Sequence, residues 1–354
     1  MLELSGLVGG RKSPPKFSWE SQFVQKGRSG WELGAPLWVD SDPDQSLPVV
    51  LAVGGGKGGV GKSLFSSNLG TQIAQSGYRC LIIDLDLGSA NLHTYFGIPH
   101  PKTTLDDFLQ SEHVTFRDLI LKGPVPGLGI IAGGRSDERS QSNQLSYAVL
   151  QRLWRGIMSC RSQEKIDFVI LDLGAGTHNF TVELFSAAHL GVVAILPEPT
   201  SIENAYVFLR AHLWKLVENL GERLRRPHEA LAIQQALGEL NADHLDQGYF
   251  SVLKSLYPKY PEFVKALGTV VVSRKIGLLV NQVRSREDRE IGFSMENICR
   301  RFFGLQSHNL GYLNYDEAAW KSLRNRRLLL FDFPHSLIVQ RMKRVAHGVL
   351  NLAK

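Results

Sequence analysis

An α/β fold with a doubly wound, mostly parallel sheet follows from three observations on the sequence. Short apolar runs such as Val49-Val50-Leu51-Ala52-Val53 and Cys80-Leu81-Ile82-Ile83 have the unbroken, β-branched content of strands buried on both faces. Each run ends in a Gly- or Asp-rich segment, and the carboxyl edge of such a sheet is where ligands bind. Between the runs, apolar residues recur at helical spacing. With 354 residues, 43% hydrophobic and 21% charged, the chain can bury one large core with additions.

The first run leads into Gly56-Lys57-Gly58-Gly59-Val60-Gly61-Lys62-Ser63. Glycines after a strand let successive backbone N–H groups turn inward around a di- or triphosphate, and the following helix adds its positive N-terminal end. Lys62 is expected at the β- and γ-phosphates and the Ser63 hydroxyl on Mg²⁺. Gly54, Gly56 and Gly59 also satisfy Gly-x-Gly-x-x-Gly, the dinucleotide fingerprint. A dinucleotide loop, however, has no use for two lysines and a magnesium-ligating serine. Lys57 is surplus to a single cradle, and from the early loop it points away from its own site, within reach of a phosphate held by a second subunit.

Over 57–63 every fixed position matches Lys-Gly-Gly-x-Gly-Lys-Ser/Thr, so the loop resembles the deviant Walker A motif of the MinD/ParA family of dimerising ATPases. Gly55 departs from the serine or threonine common there. The next run delivers Asp84-Leu85-Asp86-Leu87-Gly88-Ser89-Ala90-Asn91, which is similar to the family's first switch, Asp-x-Asp-x-Gly-x-x-Asn. That resemblance implies that Asp86 orients or activates the attacking water and that Asp84 supports the magnesium shell; capping of the following turn is the structural alternative. A third strand, over 166–171, ends in Asp172-Leu173-Gly174-Ala175-Gly176-Thr177 and looks like the family's Walker B strand and second switch. Asp172 would hold a magnesium-bound water there, and the glycine amides would meet the γ-phosphate, so that its loss releases the segment.

A strand over 191–196 leads into Pro197-Glu198-Pro199-Thr200-Ser201-Ile202, followed by Ala205-Tyr206. Within the family this most resembles the flagellar number-regulator branch, FlhG/YlxH. Segments 276–284 and 310–316 fall where that branch has its last core strands. Asn281 matches the asparagine that meets the adenine base, which implies ATP rather than GTP, with a strand-end cap as its alternative. The resemblance implies an ATP- and Mg²⁺-dependent homodimer whose slow hydrolysis acts as a switch in spatial regulation, with Lys57, Lys62 and Asp86 as the catalytic set. A partition-type ATPase that binds nonspecific DNA is the alternative. Flagellar relatives carry an N-terminal Asp-Gln-Ala motif, and this sequence has none.

The remaining features bear on partners and setting. Cys80, Cys160 and Cys299 form no close-spaced pair, which argues against a structural zinc site and a bridging iron–sulfur cluster. Sparse cysteines without a signal peptide lead us to expect reduced thiols and a cytoplasmic protein, with peripheral contact at the inner membrane face as the variant. Residues 1–47 are rich in Gly, Ser, Pro and charge, carry Trp19, Trp31 and Trp38, and are expected to be an irregular extension to an ATPase domain over 48–354. The stretch of about 221–270 has helical periodicity and is far longer than a crossover needs, so a helical insertion is expected; it and the extension are the two candidate sites for a protein partner. Net charge is +6, and bases such as Arg284, Arg289, Arg324, Arg327 and Arg341 gather late, where they suggest either a DNA surface or a solvated basic face. Ile338, Met342, Val345, Ala346 and Val349 form a stripe expected to dock on the sheet, against the alternative of a membrane-binding end.

Overall fold

The computed structural model describes residues 30–37, 39, 47–87, 90–134, 146–239 and 248–353. The apolar runs form β1 (Val49–Gly54), β2 (Cys80–Leu85), β3 (Leu121–Lys122), β4 (Leu128–Ile131), β5 (Phe168–Leu173), β6 (Leu190–Ile195), β7 (Lys275–Val283) and β8 (Ser307–Asn314). They pair in the order β3-β4-β2-β5-β1-β6-β7-β8. Only the short β3 runs antiparallel, against β4. β1 lies between β5 and β6, so the loop that follows it emerges at the middle of the sheet, where the connections diverge to either side.

Alternation along the strands divides the core between two faces. Val50, Ala52, Leu81, Ile83, Val169 and Leu171 pack on one side, while Leu51, Val53, Ile82, Ile170 and Val192 pack on the other. The second face is covered by α2 (Lys62–Gln75), α3 (Leu92–Tyr95), α12 (Glu317–Arg324), α13 (Leu329–Asp332) and α14 (Leu337–Ala353). The first carries α4 (Leu105–Gln110), α5 (Tyr147–Glu164), α6 (Asn179–Ala187), α7 (Pro199–Leu224) and α11 (Ile291–Phe303). The stripe of α14 is spent in this packing, with Ile338, Met342, Val345, Ala346 and Val349 all buried against α2 and β8. Among the described residues no helix is long and apolar enough to cross a membrane.

Between α7 and β7 the chain adds α8 (Pro227–Gly238), α9 (Tyr249–Leu256) and α10 (Pro261–Ser273). Proline opens α7, α8 and α10 at the first turn, where its missing N–H costs nothing. These helices feed Ile233, Leu253, Phe263, Leu267 and Val271 into the same core as α7. In the described part of the N-terminal segment, α1 (Gly30–Gly34) packs on α10 and α7. Trp31 stacks on His189 with ring centroids 4.4 Å apart, and its indole N–H donates to the carbonyls of Ala187 and Ala188. Trp19 and Trp38 lie outside the described residues.

Candidate nucleotide-binding site

The loop after β1 takes its shape from glycines, several of which leave no place for a side chain. Gly59 and Gly61 have φ of 75° and 90°, in the left-handed region. A Cβ on Gly56 would run into the Asn204 carbonyl of α7, and one on Gly61 into the Asn281 amide. Gly61 opens α2, whose first residues are Lys62 and Ser63, so the helix N-terminus faces the loop. Val60 is buried with Ala194 and Leu196, which seats the loop on the end of β6.

The structure brings Lys62, Ser63, Asp84, Asp86 and Asp172 together at this edge. Lys62 is 7% exposed, and its amine lies 3.5 Å from the Lys57 carbonyl. Burial lowers its pKa, while Asp172 and Asp86 act in the opposite sense. Asp84 and Asp172 are register partners on β2 and β5, both about 1% exposed. Desolvation raises both carboxyls, and for Asp84 the neighbouring Asp172 adds to the rise. Ser63 and Ser66 hydroxyls donate to Asp172, the latter at 2.8 Å. Asp84 accepts from the backbone N–H groups of Asp86 at 3.2 Å and Leu92 at 3.0 Å, so it shapes the first switch from within. Asp86 is half-buried, and its Oδ1 lies against Gly174, where a Cβ would approach to 3.1 Å. The Gly176 amide donates to the Gly55 carbonyl at 3.1 Å, which ties the second switch to the loop. Gly88 and Ser89 of the first switch lie outside the described residues.

Lys57 is elsewhere. Its amine donates to Glu198 at 2.9 Å and to the Thr200 hydroxyl at 3.2 Å, at the rim where α7 begins. This partnership was not legible in the sequence, although the Pro-Glu-Pro-Thr segment that supplies it stood out there. Asn281 is buried, donates from Nδ2 to the Val60 carbonyl at 2.8 Å and accepts at Oδ1 from the Gln282 N–H at 2.8 Å. It braces the loop and holds Gln282 at φ 58°, where β7 breaks register with β8.

Three comparisons bear on this geometry. The CobQ/CobB/MinD/ParA nucleotide binding domain matches residues 51–329, a span that runs from β1 to α13. The chain belongs to that family. It is a P-loop ATPase of the MinD/ParA type. Among curated relatives, the antiactivator FleN of Pseudomonas aeruginosa is 26% identical over 302 residues, 85% of each chain. The flagellum site-determining protein YlxH of Helicobacter pylori is 27% identical over 66% of this chain and 79% of its own. Among solved structures, the septum site-determining protein MinD of Pyrococcus horikoshii, complexed with Mg-ADP, superposes with a TM-score of 0.56 at 18% identity, over 87% of this chain and 98% of that one. The MinD/ParA fold accounts for the central β1 loop and for the neighbouring strands β2 and β5 that carry Asp84 and Asp172.

A cavity of about 560 Å³ adjoins the loop, within the range of small-ligand pockets. It opens between Gly61 and Leu64, the ends of β7 and β8, and α12, with Tyr95, Asn281, Asn314 and Trp320 in its wall. The late basic residues are largely engaged: Arg284 lies 3.8 Å from the Tyr315 ring, Arg289 and Arg341 lie over Tyr312, and Arg327 pairs with Asp332. Cys80, Cys160 and Cys299 are buried and free. Among the described residues, no cluster of three or more His, Cys, Asp or Glu forms a metal cage.

Proposed function

We propose that this chain is an ATP-switched homodimer that regulates flagellar number or placement, with FleN and YlxH as the relatives that point to the pathway. The observation that carries the dimer is the position of Lys57. Its amine stands at the rim on Glu198 and Thr200, 37% exposed at the side chain, while Lys62 alone occupies the centre. A second lysine outside its own cradle is placed to meet the phosphates of a facing copy. There it would act as an arginine finger does in other P-loop enzymes, worth about 10³ to 10⁵ in rate.

Within one cradle the roles divide by chemistry. Loop amides and Lys62 bind the β- and γ-phosphates. Ser63 and Asp172 are hard oxygen donors already hydrogen-bonded to each other, and two buried carboxyls with raised pKa want a cation, so the residues fit Mg²⁺. When bound, the ion supplies charge neutralisation at the phosphate oxygens. Asp86, beside Gly174, orients water at the γ-phosphate. The Gly176 amide, bonded in this structure to the Gly55 carbonyl, would exchange that bond for one to the phosphate and report its presence through the second switch.

The test is Lys57→Ala. Light scattering with ATP is expected to show monomer where the parent forms dimer, with nucleotide binding kept and turnover reduced by about 10³ or more. A variant that pairs and hydrolyses normally would remove Lys57 from the mechanism.

A further inference from the structure

The N-terminal segment and the helical insertion meet on α7. Residues 30–36 lie in a groove walled by α7, by α10 at the end of the insertion, and by the turn between α6 and β6. Much of their hold is on backbone. Arg274 donates to the Trp31 carbonyl at 3.1 Å, Asn219 to that of Gly34 at 3.1 Å, and Arg223 to those of Ala35 and Pro36 at 3.0 and 3.1 Å. The donors belong to the body of the domain and the acceptors to the segment. Side-chain donors that meet a row of main-chain carbonyls follow a backbone path, as peptide-binding grooves do.

Trp31 is the anchor. Its indole stacks on His189 with ring centroids 4.4 Å apart, and its N–H donates to the carbonyls of Ala187 and Ala188. Gly30 and Gly34 let the segment lie directly on α10: a Cβ on Gly30 would stand 2.6 Å from the Thr269 carbonyl oxygen, and one on Gly34 would run into Val270. A large flat anchor with one polar edge, flanked by glycines and followed by carbonyls that fixed donors meet, is a recognition element in its own right. It sits at the amino end of β6, while the phosphate loop is seated on the other end of that strand.

We infer that this end of the domain is a groove for a tryptophan-anchored, glycine-flanked peptide, and that residues 30–36 are its resident ligand, held in cis and exchangeable. The groove's donors serve any backbone that follows the same path. A partner that presents this chemistry enters by displacing the segment. Attachment in cis sets a high bar, because a short tether gives an effective concentration on the order of millimolar. The extension and the insertion then form one docking site, closed until its own strap is lifted.

The test uses the full chain and an end-labelled synthetic peptide of residues 29–37, read by fluorescence anisotropy. Trp31→Ala, whose segment has lost its anchor, is expected to bind the peptide about tenfold or more tighter than the parent, whose groove is filled. The same peptide with alanine in place of tryptophan should not bind. Adding Arg223→Ala to Trp31→Ala strips a charged donor from the groove and should weaken the peptide roughly 10- to 150-fold. Gly30→Val lifts the segment by a clash with backbone, keeps Trp31, and should bind as Trp31→Ala does. Unchanged Mg-ADP affinity certifies that a variant is folded. Equal binding to parent and Trp31→Ala, or no binding to whichever of Trp31→Ala and Gly30→Val is folded, overturns the assignment. Loss of the fold in both variants overturns it too, since residues 30–36 would then be core and not ligand.

Discussion

The two ends of the same strands are equally buried and oppositely finished. At the carboxyl end, Asp84 and Asp172 lie side by side with raised pKa, and three glycines, Gly59, Gly61 and Gly176, hold left-handed backbone. At the amino end most polar groups are bonded to backbone, although Nε of Arg274 and Nε2 of His212 are buried without a hydrogen-bond partner. Arg274, 4% exposed, donates to the carbonyls of Ser186 at 2.9 Å and Trp31 at 3.1 Å. His189 accepts at Nδ1 from the Val50 N–H, and His212 shares a 2.8 Å hydrogen bond with Ser186. Asn219 and Arg223 hold the carbonyls of Gly34, Ala35 and Pro36. Burial alone does not mark a site. What marks it is a pair of adjacent carboxyls with raised pKa beside left-handed glycine backbone.

If that contrast is right, substitutions at the two ends should fail in different ways. The largest effect is expected at Asp86. Asp86→Asn should keep nucleotide affinity and fold, and lower turnover by about 10² to 10⁴, the usual worth of a positioned general base. Phosphate release under single-turnover conditions reads it directly. Near-parental rates would leave Asp86 as a side chain that packs on Gly174 and no more.

The amino end should lose stability and spare chemistry. Arg274→Ala strips two buried carbonyls of a charged donor, and a loss of about 2 to 4 kcal/mol in urea unfolding is expected, with the nucleotide Kd unchanged wherever the variant is folded. A shift in nucleotide affinity as large as the shift in stability would mean that the two ends are coupled and the contrast is false.

Acid should separate the ends by sign. Burial, with Arg274 and Lys275 nearby, lowers His189 to about 4, and burial with Arg274 lowers His212 to about 3, from an ordinary 6.5. Both are neutral in the fold and protonate more readily once unfolded. Their stabilisation is whole above pH 6.5 and falls as the pH drops from there toward their folded values, by about 1.4 kcal/mol per unit for each. Asp84 and Asp172 act the other way, because a raised carboxyl favours the fold at low pH and costs stability as the pH rises through its folded pKa. His189→Asn keeps an acceptor for the Val50 N–H and should flatten the slope of unfolding free energy between pH 6.5 and 4. A parallel slope in parent and variant would show that His189 does not carry it.

How much of this was legible before the structure depends on whether a residue acts through its neighbours in sequence or in space. The loop over 56–63, the paired strands that end in Asp84 and Asp172, and the late strands around Asn281 were readable, because glycine spacing and apolar runs are local signals. The strand β4 was not assigned, since its four residues carry no more pattern than a loop does. Asn281 was legible as a family position, with a strand-end cap as its alternative, but its bond to the Val60 carbonyl needs the fold. Asn314 lay in a segment noted for other reasons and Trp320 in none, and their convergence needs β7, β8, α2 and α12 placed in space. The hold of Arg274 on Trp31 joins residues 243 apart in sequence.

The smallest expected effect is also the most discriminating. The Lys57–Glu198 pair joins side chains 37% and 52% exposed, and such a pair contributes well under about 1 kcal/mol to folding. Glu198→Gln should therefore leave the unfolding curve where it is. In the proposed dimer the same pair would compete for the amine that a facing copy needs, so releasing Lys57 should strengthen ATP-dependent dimerisation by a few-fold, up to the worth of the lost pair. Thr200→Val removes the second acceptor and should push in the same direction, by less. Sedimentation with ATP measures both. Weaker pairing in Glu198→Gln would reverse the argument: the carboxylate would then belong to the assembled site, as a contact across the interface instead of a hold within one chain.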